Sequence, residues 1–218
     1  MSDSPEDKLT VRLTRQEQKE VTRARILQCA LIMFAERGFE GAGIREMASE
    51  AGVNHALIGY YFGDKDGLWK AAVEFLFERQ NQQLQPSPDE LELPLYERTK
   101  RWLRRYVRYC AKHPEHARIM VQESIRDSER LRWAIERFIK PEHDLLRANF
   151  EGVVAEGMFP DIPFLDYIYM FTAAAQSPFM LAREIRLAHS IDVADACVID
   201  AYADSLLVMF MRPAAASD

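Results

Sequence analysis

The 218 residues include three cysteines, Cys29, Cys110 and Cys197, far apart and without paired spacing, which excludes a disulfide framework and a cysteine zinc site. They read as reduced residues of an apolar core. Long hydrophobic runs are missing as well. The longest charge-free apolar stretch, Tyr167 to Ala182, has 16 residues and is interrupted by Gln176, Ser177 and Pro178, short of the roughly 18 apolar residues that a membrane helix needs. The opening MSDSPEDKLTVRLTRQEQKE has no apolar segment of the signal-peptide kind. A cytoplasmic protein without a membrane partner is therefore expected. Strand signals are scarce, with no sustained alternation and no Asn-Gly or Asp-Gly turn. No nucleophile elbow, phosphate-binding glycine loop or zinc-hydrolase motif occurs, so neither enzymatic activity nor a cofactor is expected. HPEH, residues 113–116, brings two histidines and a glutamate together, yet Pro114 and a helix start explain that spacing and no further ligand is recognisable nearby. No metal site is expected.

What the sequence does contain is helical periodicity. With 48% hydrophobic residues the chain can bury one large core, or a small domain joined to a larger one. Ile26, Leu27, Ala30, Leu31, Phe34 and Ala35 recur at helical spacing and predict a helix over 18–37, closed by Gly38. After GFEGAG, a two-turn helix over 44–51 puts Ile44, Met47, Ala48 and Ala51 on one face. Gly52 suits a left-handed helix end and Asn54 an N-cap, so two short helices meet at a tight corner, the layout of a helix-turn-helix. In the second of them Val53, Ile58 and Phe62 form the apolar face and leave His55, Gly59 and Tyr60 outward, with Leu57 beside them. Asp64 caps a further helix over 65–83, and QPSPDELELP reads as a linker. Five more helices are expected at 95–112, 114–125, 128–157 with a bend near Pro141, 161–188 and 192–211, giving an all-α chain of about nine helices.

Net charge is −6, which alone disfavours a polyanionic partner. Its distribution is uneven. Lys8, Arg12, Arg15, Lys19, Arg23 and Arg25 stand against Glu17 and Glu20, a local excess of +4 that suits either phosphate contact or a solvated, flexible tail.

The segments RILQCALIMFAERGFEGAG, IREMASEAGV and YYFGDKDGLWKAAV resemble the DNA-binding domain of the tetracycline-repressor (TetR) family over residues 20–80. The ordered set Phe34, Gly38-Phe39, Ala48, Ala51-Gly52-Val53, Tyr61-Phe62 and Lys65 carries the resemblance. It implies a flexible basic arm at 1–19, a helix-turn-helix domain at 20–80 with its motif at 43–62, and a helical ligand-binding and dimerisation domain at 81–218. It also implies that the second helix of the motif enters the major groove of double-stranded DNA. Arg45 then reads guanine through its bidentate fork. His55 reaches a base edge, and Ala56 and Leu57 meet a thymine methyl. Asn54 either caps the helix or touches a base. Tyr60 and Tyr61 either donate to phosphates or pack as half-buried residues, and Lys65 binds phosphate at a helix N-terminus. Two positions depart from the family pattern: Gly43 replaces a hydroxyl residue at the start of the first motif helix, and Gly59 replaces an aromatic, which points to close approach of the backbone to DNA.

Both of the last two helices carry more apolar residues than one face of a monomer needs, which predicts a homodimer through them and an inverted-repeat operator read at roughly 34–36 Å spacing. Trp102, Tyr106, Cys110, Met120, Phe150 and Met170 are candidates to line a cavity for a small-molecule effector, or else pack the core. Arg98, Arg101, Arg105, Arg108 and Lys112 form a basic stripe that is solvated, faces an acidic neighbouring helix, or meets an anionic effector. The expected function is a ligand-released repressor. The alternative is an all-helical carrier or enzyme that uses the helix-turn-helix as an interaction surface.

Overall fold

The structure, a computed structural model, describes residues 14–212; Lys8 and Arg12 of the expected arm lie outside them. Twelve α-helices and one π-helical turn follow one another, with no strand among the described residues. The chain is all-α, and divided more finely than nine helices.

Helix α1 (Arg15–Gly41) starts ahead of the expected residue 18 because Thr14 and Glu17 build a capping box. The Glu17 N–H donates to Thr14 Oγ1 at 3.2 Å, and the Thr14 N–H to Glu17 Oε2 at 2.7 Å. Residues 15–19, read from sequence as flexible arm, thus form the first turns of a helix. At the other end the helix does not stop at Gly38 but kinks there. Helices α2 (Ile44–Glu50) and α3 (His55–Phe62) meet at the expected corner. Gly52 sits at φ 62°, a left-handed conformation that a Cβ would strain, and Asn54 Oδ1 accepts from the Ala56 N–H at 2.9 Å. Helix α4 (Lys65–Leu84) is capped by Asp64, whose Oδ1 accepts from the Gly67 N–H at 2.8 Å.

These four helices close over Ile26, Leu27, Leu31, Phe34, Met47, Ile58, Leu68, Trp69 and Leu76, all buried. Each such side chain contributes about 1.5–3 kcal/mol on burial. Tertiary packing therefore holds the seven-residue α2, since isolated helices this short are unstable in water. Ile119 and Ala134, from much later in the chain, belong to the same core.

The linker contains one helical turn, α5 (Pro88–Leu91), capped by Ser87 and Glu90. Helices α6 (Leu95–Lys112) and α7 (Pro114–Arg126) follow. The expected helix over 128–157 is α8 (Glu129–Ala134), a π-helical turn (Ile135–Ile139) and α9 (Lys140–Ala155). Pro141 has no N–H for the Arg137 carbonyl, and the Lys140 N–H bonds back to Ile135 O, widening the turn before it. The expected helix over 161–188 is divided at Leu181 into α10 (Phe164–Met180), which contains Pro178, and α11 (Ala182–His189). The last helix is α12 (Ala196–Phe210). A second core joins Leu103 and Val107 of α6, Phe150 of α9, Tyr167 and Phe171 of α10 and Leu206 of α12.

One sequence expectation needs correction, and one open reading is narrowed. Cys110 is buried and Cys29 half-buried, but Cys197 is exposed, because α12 is apolar on more sides than its neighbours can cover. Of the basic stripe of α6, Arg105 and Arg108 are paired, as is Arg104 beside it. Arg108 Nε donates to Asp200 Oδ1 at 2.9 Å and Arg104 Nε to Asp204 Oδ1 at 3.0 Å, both on α12. Arg105 pairs with Glu90 and donates to Leu84 O at 3.0 Å. An acidic neighbouring helix, one of the readings open from sequence, accounts for Arg108.

Candidate nucleic-acid interface

Ile58 anchors α3 in the first core, and Val53, Tyr61 and Phe62 pack against that core from its edges. The opposite side of α3 is consequently free: Asn54, His55, Ala56, Gly59 and Tyr60 are exposed and Leu57 is half-buried. Arg45, on α2, is exposed beside them, with no ion pair among the described residues. Tyr60 is 74% exposed and meets Tyr61 edge-on at 5.4 Å. Ordinary half-buried packing therefore describes Tyr61 but not Tyr60. Asn54 spends its side-chain oxygen on capping, which leaves its amide N–H groups for any other contact.

Two cations that the sequence reading placed in a basic tail stand beside this surface. Lys19 Nζ lies 5.9 Å from the Tyr60 ring centre and 5.8 Å from that of Tyr61, and the Arg23 guanidinium lies 5.7 Å from that of Phe62. Their spacing of four puts both on one face of α1, a signal already present in the helix expected over 18–37. Lys65 is more committed than expected. Its Nζ donates to Glu40 O at 3.2 Å and sits 4.7 Å from the Phe39 ring centre, fastening the end of α1 to the start of α4.

The glycines differ in what they permit. A Cβ on Gly59 would meet open space, whereas one on Gly67 would come 2.1 Å from Phe62 O. Gly67 is thus what allows α4 to start so close against the end of α3.

Helix α7 touches this unit from behind. Gln122 Nε2 donates to Ala35 O at 2.7 Å, and the Arg130 guanidinium lies 3.5 Å from the Phe39 ring centre while its Nε is 3.4 Å from buried Glu123. The HPEH residues clasp helices rather than gathering around a common point. Arg79 of α4 reaches Gln28 at 3.1 Å and Glu115 at 2.6 Å, and His113 bonds Gln83 at 3.2 Å and Glu115 at 3.3 Å. Burial opposes ionisation of Glu115, but its His113 and Arg79 contacts outweigh it and lower its pKa. Burial and the nearby Arg79 charge push His116 down to about 3, so the imidazole stays neutral and shares a 3.1 Å hydrogen bond with the Tyr109 hydroxyl. No group of three or more His, Cys, Asp or Glu is placed to hold a metal among the described residues.

Two cavities lie among the later helices, of about 470 Å³ and about 350 Å³. Trp102 borders both, Phe150 the larger, and Tyr106 and Met120 the smaller. Cys110 borders neither; it is packed in the second core, where burial pushes its thiol up to about 12. Met170 borders neither and is 49% exposed, since its face of α10 turns away from the core. None of the described helices is long and apolar enough to cross a membrane.

Residues 26–72 match the model of the family described as bacterial regulatory proteins, tetR family. The HTH-type transcriptional repressor NicS of Pseudomonas putida is 29% identical over 167 residues, 73% of this chain and 76% of that one. A TetR family transcription regulator from Marinobacter aquaeolei VT8 shares the fold at TM-score 0.63 and 17% identity, over 92% of this chain and all of that one. AibR, in a crystal structure with isovaleryl coenzyme A and operator DNA, shares it at TM-score 0.69 and 16% identity, over 88% and 99%.

Proposed function

The chain belongs to the tetR family of bacterial regulatory proteins and is a DNA-binding transcription regulator, and from that premise we propose that it is a repressor, binding an inverted-repeat operator as a homodimer and released by a small molecule. Residues 20–80 form the operator-reading unit, and 81–218 carry the ligand site and the dimer contact. The observation that carries this reading is the free side of α3, where polar and aromatic side chains are exposed on a helix braced by Ile58 and flanked by Lys19 and Arg23.

In this reading Arg45 and His55 address base edges, Ala56 and Leu57 meet thymine methyls, Tyr60 and the Lys65 N–H donors not spent on Glu40 hold the phosphate backbone near Gly59, and the Asn54 amide left over from capping touches a base. Dimerisation through α10 and α12 is supported by the exposed Leu165, Tyr169, Val208 and Met209, the last two 83% and 74% exposed. Release is supported by the position of α7. Its Met120 and Ser124 border the smaller cavity, while its Gln122 holds α1. A ligand that favours one setting of α7 over another would shift the spacing of the two α3 helices. The printed descriptions of NicS as a repressor and of AibR with an acyl coenzyme A and operator support the same arrangement.

Selection of bound fragments from a random DNA pool tests it. A two-fold symmetric site with half-sites one helical turn apart, bound less tightly as salt rises, is the expected result. Binding to no duplex at low salt would leave the carrier or enzyme reading in its place.

A further inference from the structure

The smaller cavity has neither lysine nor arginine among its lining residues. Its one carboxylate is Glu142, at the start of α9 just after the π-helical turn. His116 and His143 also border it, and burial, the chief influence on each, holds both imidazoles below their ordinary pKa. Neither adds positive charge at neutral pH. Gln80 of α4, 5% exposed, directs its amide into the same space. Its Nε2 lies 3.5 Å from Glu142 Oε1, and its Oε1 has no hydrogen-bond partner. A buried acceptor without a donor is costly, and a half-buried carboxylate without a cation is poorly compensated. The two occur side by side, walled by Phe77, Trp102 and Phe171. The larger cavity differs: Arg98 borders it along with the paired Arg105 and Glu90.

We propose that the smaller cavity binds a hydrophobic amine, its ammonium group donating to Glu142 and to Gln80 Oε1 and its body packed among Phe77, Trp102 and Phe171. That this amine is the effector rests on the regulator reading above. An ammonium supplies the donors that Gln80 Oε1 lacks and the charge that Glu142 lacks, and aromatic faces favour a cation further. Burial holds the Glu142 carboxyl above its ordinary pKa, and an ammonium beside it would favour the charged form. An anionic ligand of the same size would face the Glu142 carboxylate with no lysine or arginine in the lining to offset it.

The test is calorimetry on the full-length protein with phenylbutylamine, phenylbutanol and phenylbutanoate, three bodies of one shape and different charge. The amine is expected to bind at least about tenfold more tightly than the alcohol, with the carboxylate weakest. Glu142→Gln should cut amine affinity about tenfold or more and leave the alcohol within about twofold. Equal or tighter binding of the alcohol or carboxylate, no amine binding at millimolar concentration, or an unchanged preference in Glu142→Gln would each overturn the assignment. Should that variant fold poorly, the three-probe comparison on the unaltered chain still decides. DNA retention is measured first without amine, where failure counts against the regulator reading alone. If DNA binds and a saturating amine does not release it, the amine is not the effector.

Discussion

The Tyr202 hydroxyl of α12 donates to the Ala174 carbonyl of α10 at 2.6 Å. Ala174 is the acceptor that an N–H four residues later would normally satisfy, and Pro178 has none. A side chain from a neighbouring helix thus completes the turn that proline leaves open, and ties the two helices proposed to form the dimer contact. Tyr202→Phe should cost about 1–2 kcal/mol, read as a lower urea midpoint at fixed protein concentration. An unchanged midpoint would show that Ser177 Oγ, 3.4 Å from the same carbonyl, suffices.

Gly59 and Gly67 should respond to alanine in opposite directions. At Gly59 the Cβ meets nothing within 4 Å, so Gly59→Ala should stabilise by about 0.5–1 kcal/mol and raise the melting temperature while weakening operator binding. Unchanged affinity in a gel-shift titration would discard the close-approach role. Gly67→Ala drives a methyl into Phe62 O and should destabilise by about 1–3 kcal/mol, checked by the same melts.

Arg45 and Lys19 separate reading from holding. Arg45→Ala should relax preference at one base position per half-site, costing about 1–3 kcal/mol there. Lys19→Ala should weaken binding to all sequences alike and flatten the logarithmic salt dependence by about one unit per protomer. A uniform loss for Arg45→Ala would reassign it to phosphate.

His116 makes stability depend on acid. Its folded-state pKa of about 3 lies below the ordinary value of 6.5, so the unfolded chain takes the proton first. The contribution is whole above about 6.5 and drains away as pH falls towards about 3. Denaturation series across that window should show His116→Gln, which keeps an acceptor for Tyr109, less acid-sensitive than the unaltered chain.

Helices α1 to α4 were legible because their signals are local: Gly52 for the corner, Asn54 and Asp64 for the caps, and an apolar face that repeats at helical period. The start of α1 was missed although Thr14 and Glu17 have capping-box spacing, because the surrounding charge reads equally well as tail. Other features depend on which helices become neighbours. Arg104 and Arg108 repeat every four residues, as do Asp200 and Asp204, yet only the packing of α6 on α12 brings the two rows together. For the same reason Cys110 takes the core-packing reading that the sequence left open and Met170 takes neither reading, since an apolar residue does not announce whether it faces a void, a core or solvent. Gln80 and Glu142, 62 positions apart, give no sequence signal of their own.

Trp102, Leu146, Ile168 and Phe171 border both cavities. The wall between the two cavities thus includes these four side chains, with Trp102 stacked on Tyr106 at 5.6 Å, so a change in any one of them reshapes both compartments at once.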